Sequence, residues 1–214
     1  MLPPLTDFVA LLGINLVLCA VCLRLLSWRH GVTRWSKWGT AVFFVALWCP
    51  VGAALLPIVA YLRGLSSDPS MTLVTLACLA LLRSVSGFPA IERREQLAVF
   101  AAVAAAALFL YPLALGWGDW DAYRLGWGAS GMWVALLLVS LVCWVQGLRL
   151  LPILIALALL AWTAGLLEST NLWDYLLDPW LAITAIFQCV KTACRKLLQR
   201  FWRVRSGTVL PSSS

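Results

Sequence analysis

The sequence predicts an all-α integral membrane protein: a bundle of about seven transmembrane helices, N-terminus out and C-terminus in, closed by a basic amphipathic helix. Three observations carry this. The 214 residues are 63% hydrophobic and 12% charged, against about 45–50% and about 25% in a soluble domain. Apolar runs of membrane-crossing length recur with only short polar breaks, which a single buried core does not explain. The charged residues sort by sign between alternate breaks.

A helical span needs about 20 mostly apolar residues, within roughly 17–25. Residues 8–26 supply the first. The preceding MLPPLTD has neither a basic region nor a small-residue cleavage site, so it reads as a retained span rather than a signal peptide. The second covers 40–62 and contains Pro50 and Pro57, read as kinks whose freed carbonyls find partners on neighbouring helices. The third, 71–88, is interrupted at Arg83, and the fourth covers 97–115. The fifth is 131–147, the sixth 150–167 with Pro152 in its first turn, and the seventh 179–194. Residues 1–190 form one transmembrane domain, 191–206 a cytoplasmic amphipathic helix and 207–214 a disordered tail.

Basic residues are held on the cytoplasmic side of a membrane. With the N-terminus outside, all of the sixteen Lys and Arg except Arg63 and Arg124 fall inside. The acids divide the other way: only Glu92 and Glu95 of the nine are inside. Removing the third span would flip every later loop and put the basic tail outside, so the separation of charge supports all seven.

Between spans four and five runs LGWGDWDAYRLGWG. Trp117, Trp120, Tyr123, Trp127 and Trp133 suit headgroup depth, where amphipathic rings are favoured. The glycines permit a tight turn. Between spans six and seven, Asn171 is placed to cap a short helix beginning at Leu172, with Asp174 in its first turn. Asp178 followed by Pro179 repeats the signal, a cap and then proline at the first helical position. Were that helix continuous, Asp174 and Asp178 would share one face at i and i+4.

Asp119, Asp121, Glu168, Asn171, Asp174 and Asp178 thus form a candidate outer cluster. No cofactor is assigned, but converging oxygens of this kind suit a hard cation, Ca²⁺ or Mg²⁺. Capping and solvation explain the same residues without a ligand. Asp119-Trp120-Asp121 looks like the D-x-D loop motif of membrane glycosyltransferases that use lipid-linked sugars. Asp174-x-x-x-Asp178 is similar to the tail of the CDP-alcohol phosphotransferase signature. The upstream D-G-x-x-A-R is absent, Thr170 stands where a glycine is required, and the segment lies on the wrong side, so that family is rejected.

His30 is the only histidine and lies in an inner loop, so no histidine-based zinc site or Ser-His pair is available in the spans. Cys19 and Cys22 form a C-x-x-C inside a span, where cysteine serves as a small packing residue. Asn15, mid-span, calls for a partner on another helix. No acid lies deep in a span, which counts against a proton-driven transporter.

At the inner face, Lys191, Arg195, Lys196, Arg200 and Arg203 oppose an apolar stripe from Val190 to Val204. Such a helix lies along an anionic leaflet and binds lipid headgroups. Membrane lipids and a membrane-protein partner are the expected contacts; nucleic acid is not. The expected role is a non-catalytic accessory or assembly subunit of a bacterial inner-membrane complex. The alternatives are an enzyme or carrier acting on a lipid-linked substrate at the outer face, and a small transporter or channel.

Overall fold

The computed structural model describes residues 5–87 and 90–207, and these form ten helices and one two-stranded hairpin. Helix α1 (Leu5–Leu26) carries Asp7 in its first turn and Arg24 in its last, each sign matching the helix dipole. Helix α5 (Arg93–Ala114) has the same length, 22 residues, about 33 Å at 1.5 Å per residue. Among the described residues these two are long and apolar enough to cross a membrane. Helices α4 (Met71–Ser86), α6 (Ser130–Val145) and α7 (Leu150–Thr163) are apolar but shorter. All five coincide with expected spans, to within a few residues at each end.

The expected second span is not one helix. Helix α2 (Arg34–Leu47) starts early, because Thr33 and Ser36 close a capping box, satisfying two backbone donors reciprocally. It ends before Pro50, and the chain then makes an antiparallel hairpin of β1 (Pro50–Val51) and β2 (Leu56–Pro57). Proline lacks the amide a continuing helix needs, and Gly52 at φ +72° turns the chain. Helix α3 (Ile58–Leu65) begins after Pro57. The prolines therefore end helices here rather than kink one. Asn15 of α1 donates to the Phe44 carbonyl (3.1 Å), one of the last four carbonyls of α2, which lack a partner within the helix.

A second difference concerns the C-terminal region. The seventh span and the amphipathic helix are one 29-residue helix, α9 (Pro179–Gly207). No glycine or proline falls between Pro179 and Gly207, so nothing breaks the backbone ladder where the surface changes from apolar to basic. The side chains of Arg200 and Arg203, and residues 208–214, lie outside the described residues.

Helix α5 packs on α9, α1 on α4 and α2, α6 on α7, and α7 also meets α4 and α5. Buried Ala104, Ala107, Ala158, Ala161, Ala182 and Ala185 let the backbones approach closely, as small residues do at seams between membrane helices. Successive long elements alternate in direction, so chain breaks gather at two ends. Asp7, Arg63, Asp68, Glu168 and Asp178 meet at one, the acidic end. Glu95 and Arg149 meet at the other. The sides of the bundle stay apolar: Trp133, Val134, Leu137, Leu141 and Trp144 of α6 are all exposed. Soluble monomers rarely expose contiguous apolar patches above a few hundred Å².

Candidate functional site at the acidic end

The acidic end is organised by two short elements. A 3₁₀ helix (Ala122–Trp127) follows α5, and Asp121 caps it by accepting from Tyr123 N (2.9 Å). Helix α8 (Leu172–Leu176) follows α7, and Asn171 caps it by accepting from Trp173 N (2.9 Å). The same Asn171 donates to the Tyr123 carbonyl (2.9 Å), and Trp173 Nε1 donates to the Ala122 carbonyl (3.1 Å). Side chains of one segment thus satisfy the backbone carbonyls of another some fifty residues away in sequence. Gly126 makes the approach possible: a Cβ there would fall 2.6 Å from Asn171 Cγ and 2.8 Å from Trp173 Cδ1.

Tyr123 and Asp174 form the polar centre of this crossing. The Tyr123 hydroxyl donates to Asp174 Oδ2 (2.7 Å), and Ser169 Oγ donates to the same oxygen. Burial, and then the bond to the Asp174 carboxylate, push the Tyr123 phenol up to about 12. Tyr175 is fully buried beneath. Its hydroxyl accepts from Leu167 N (3.1 Å) and lies 3.2 Å from the carbonyls of Leu167 and Ser169. Burial raises this phenol too, against the Leu167 contact.

Asp178 turns elsewhere. Its Oδ1 accepts from Leu181 N (2.9 Å), capping α9, while Oδ2 accepts from Ser70 N (3.1 Å) and Ser70 Oγ (2.6 Å). Ser70 Oγ in turn accepts from Leu73 N at the start of α4. Both residues are buried. Leu177 is extended between α8 and α9, so Asp174 and Asp178 do not share a helix face.

Arg63 gathers the remaining acids. It makes a two-point bond with Asp68, Nε to Oδ1 at 2.7 Å and Nη2 to Oδ2 at 3.0 Å. It also pairs with Asp7 (2.7 Å) and Glu168 (3.1 Å). Asp68, followed by Asp7 and Glu168, holds the guanidinium above its usual range, against a smaller effect of burial. In sequence Arg63 was one of two cations on the wrong side of the charge pattern, and that exception was the available signal for this hub.

A cavity of about 470 Å³ opens at this end, lined by Asp68, Tyr111, Tyr123, Glu168, Asp174 and Asp178, with leucines below. Of the six residues expected to converge, Glu168, Asp174 and Asp178 line it. Asn171 lies beneath as a buried scaffold, and Asp119 and Asp121 are exposed outside it. Asp68, Tyr111 and Tyr123 are additions that the sequence reading did not make. Among the described residues no three His, Cys, Asp or Glu side chains are arranged to hold a metal ion. No family model, curated protein or solved structure matches the chain.

Proposed function

We propose that this chain is a multi-pass protein of a bacterial inner membrane, with seven crossings, the acidic end outside and the basic end inside. In this reading it serves as a non-catalytic accessory or assembly subunit of an envelope complex. The membrane assignment draws on the two long apolar helices, the exposed aliphatic sides and the charge separation between ends.

One observation carries the functional part: the carboxylates lining the cavity are already engaged. Asp68 and Glu168 belong to Arg63, Asp174 to Tyr123 and Ser169, and Asp178 to Ser70 and Leu181. Each of these contacts ties one loop or helix start to another, which is the work of a structural lock. The test is complementation of a deletion in the native host. Asp121→Ala and Glu168→Gln, which leave the buried bonds in place, restore the wild-type phenotype if the chain is an accessory subunit. Loss of function with normal folding in Glu168→Gln, whose residue lines the cavity, favours the second reading.

That second reading rests on the cavity itself. About 470 Å³ beside an apolar floor and two phenols lies in the range of ligand sites. It fits the polar head of a lipid-linked substrate approaching from the outer leaflet.

A further inference from the structure

At the basic end, α5 and α9 part to leave a cleft of about 390 Å³. Both helices line it with the positions that normally carry a packing seam. Helix α5 contributes Arg93, Gln96, Leu97 and Phe100, and α9 contributes Gln188, Lys191, Thr192 and Arg195. Each set steps i, i+3, i+4, i+7, the spacing of one helical face. Deeper along the same pair the seam is buried and apolar, with Val99, Val103 and Ala107 from α5 and Leu181, Ala182 and Ala185 from α9. At the mouth those positions change to arginine, lysine, amides and a hydroxyl.

This is an unusual way to end a seam. Arg93 on one helix and Lys191 and Arg195 on the other place three like charges around one cleft, and among the described residues no acid lines it. Like charges held close disfavour their own arrangement. Of the two acids flanking Arg93 in sequence, Glu92 holds the N-cap position of α5 and does not line the cleft. Glu95 is turned away: its carboxylate accepts from Arg149 N (3.0 Å) and Leu150 N (3.2 Å) at the start of α7. The Lys191 ammonium lies 5.9 Å from the Phe187 ring centroid, a cation–π contact that adds no opposing charge.

We infer that this cleft is a discrete binding site for a phosphate group, carried by an anionic phospholipid of the inner leaflet. Arg93 and Arg195 offer planar donors matched to phosphate oxygens, Lys191 a point charge, and Gln188 and Thr192 neutral hydrogen bonds. Phe100 and Leu97 meet the glycerol and upper chain. The site differs from the diffuse attraction of a basic helix because it includes Arg93, from a different element. It deepens the membrane reading above and rests on it.

The test uses the full chain purified in mild detergent and delipidated, with bound lipid counted by native mass spectrometry. Phosphatidylglycerol and phosphatidylcholine are titrated in parallel, and inorganic phosphate is added as a competitor. The expected result is one phosphatidylglycerol per chain in preference to phosphatidylcholine. Arg93→Gln, Lys191→Gln and Arg195→Gln are each expected to weaken it by about fivefold. Arg34→Gln and Lys37→Gln, basic but outside the cleft, leave it within about twofold. Equal weakening by cleft and control variants, or none by either set, overturns the discrete site. Displacement of the lipid by inorganic phosphate at comparable concentration overturns the lipid as the source. Recovery of the chain in the soluble fraction of its native host, rather than with membranes, overturns the membrane reading instead, whatever the variants do.

Discussion

Asp178 and Ser70 are 108 residues apart, yet one carboxylate oxygen of Asp178 takes both the amide (3.1 Å) and the hydroxyl (2.6 Å) of Ser70. The other oxygen caps α9 at Leu181 N. A single aspartate therefore begins one helix and grips the residue that begins another. Asp178→Ala removes a cap and strands a buried serine. The expected loss is about 2–4 kcal/mol, combining a lost N-cap with an unsatisfied buried donor. Ser70→Ala alone costs less, and the double variant falls short of additive. Thermal unfolding in detergent, run as a double-mutant cycle, checks the coupling.

Gly126→Ala is expected to be more damaging than any surface change at the same end. The added methyl meets Asn171 Cγ at 2.6 Å and Trp173 Cδ1 at 2.8 Å, and both are buried. Either α8 moves off the 3₁₀ helix or the Asn171 cap breaks, so the loss includes the cap and its cross-link, about 2–3 kcal/mol. Gly131→Ala has open space around it and is expected to be neutral. The pair is compared by melting temperature and by protease cleavage after residue 165.

The Tyr123–Asp174 bond sets a pH response. Tyr123 titrates near 12 in the folded chain, above the value of about 10 for a free tyrosine. Its contribution to stability is whole below about pH 10 and is lost as pH rises through 10 towards 12. Phenolate absorbance of the wild type minus that of Tyr123→Phe isolates this titration. Asp174→Asn removes a negative charge and the charged acceptor, so the same difference titration is expected at lower pH.

Arg63 holds Asp7, Asp68 and Glu168 together. Arg63→Gln leaves three carboxylates close to one another, and the expected destabilisation is about 1–2 kcal/mol, shrinking with added salt because these groups are part-exposed. Arg63→Lys keeps the charge but not the two-point bond to Asp68, and recovers part of the loss. Melting temperature against ionic strength separates the two variants.

What was legible in the chain was local. Asn171 before Leu172 and Asp178 before Pro179 announced their helices, because a cap is chosen by the three residues that follow it. Five apolar runs became helices near their expected limits. Span two did not, because hydropathy cannot see that Pro50, Gly52 and Pro57 turn the chain back on itself. The continuity of α9 was hidden for the converse reason: polarity changes along it while the backbone does not. Gly126 was read as one of several turn glycines, but its role is to leave room for another segment. The Ser70–Asp178 and Asn171–Tyr123 bonds join distant residues, and nothing in either stretch names the other. Asp119 and Asp121 drew attention as a motif, yet they stand apart from the cavity. Arg63 is one of two exceptions in the charge pattern and is the centre of the ion-pair hub.

In the proposed function the acidic end is a structural lock and the chain works as a subunit. The most direct test is mild-detergent purification of the full chain from its native host, followed by native mass spectrometry. The account predicts a stoichiometric protein partner, retained when Glu168 is changed to Gln. A chain that purifies alone with a lipid-linked sugar or a divalent ion, and loses that ligand in Glu168→Gln, contradicts it.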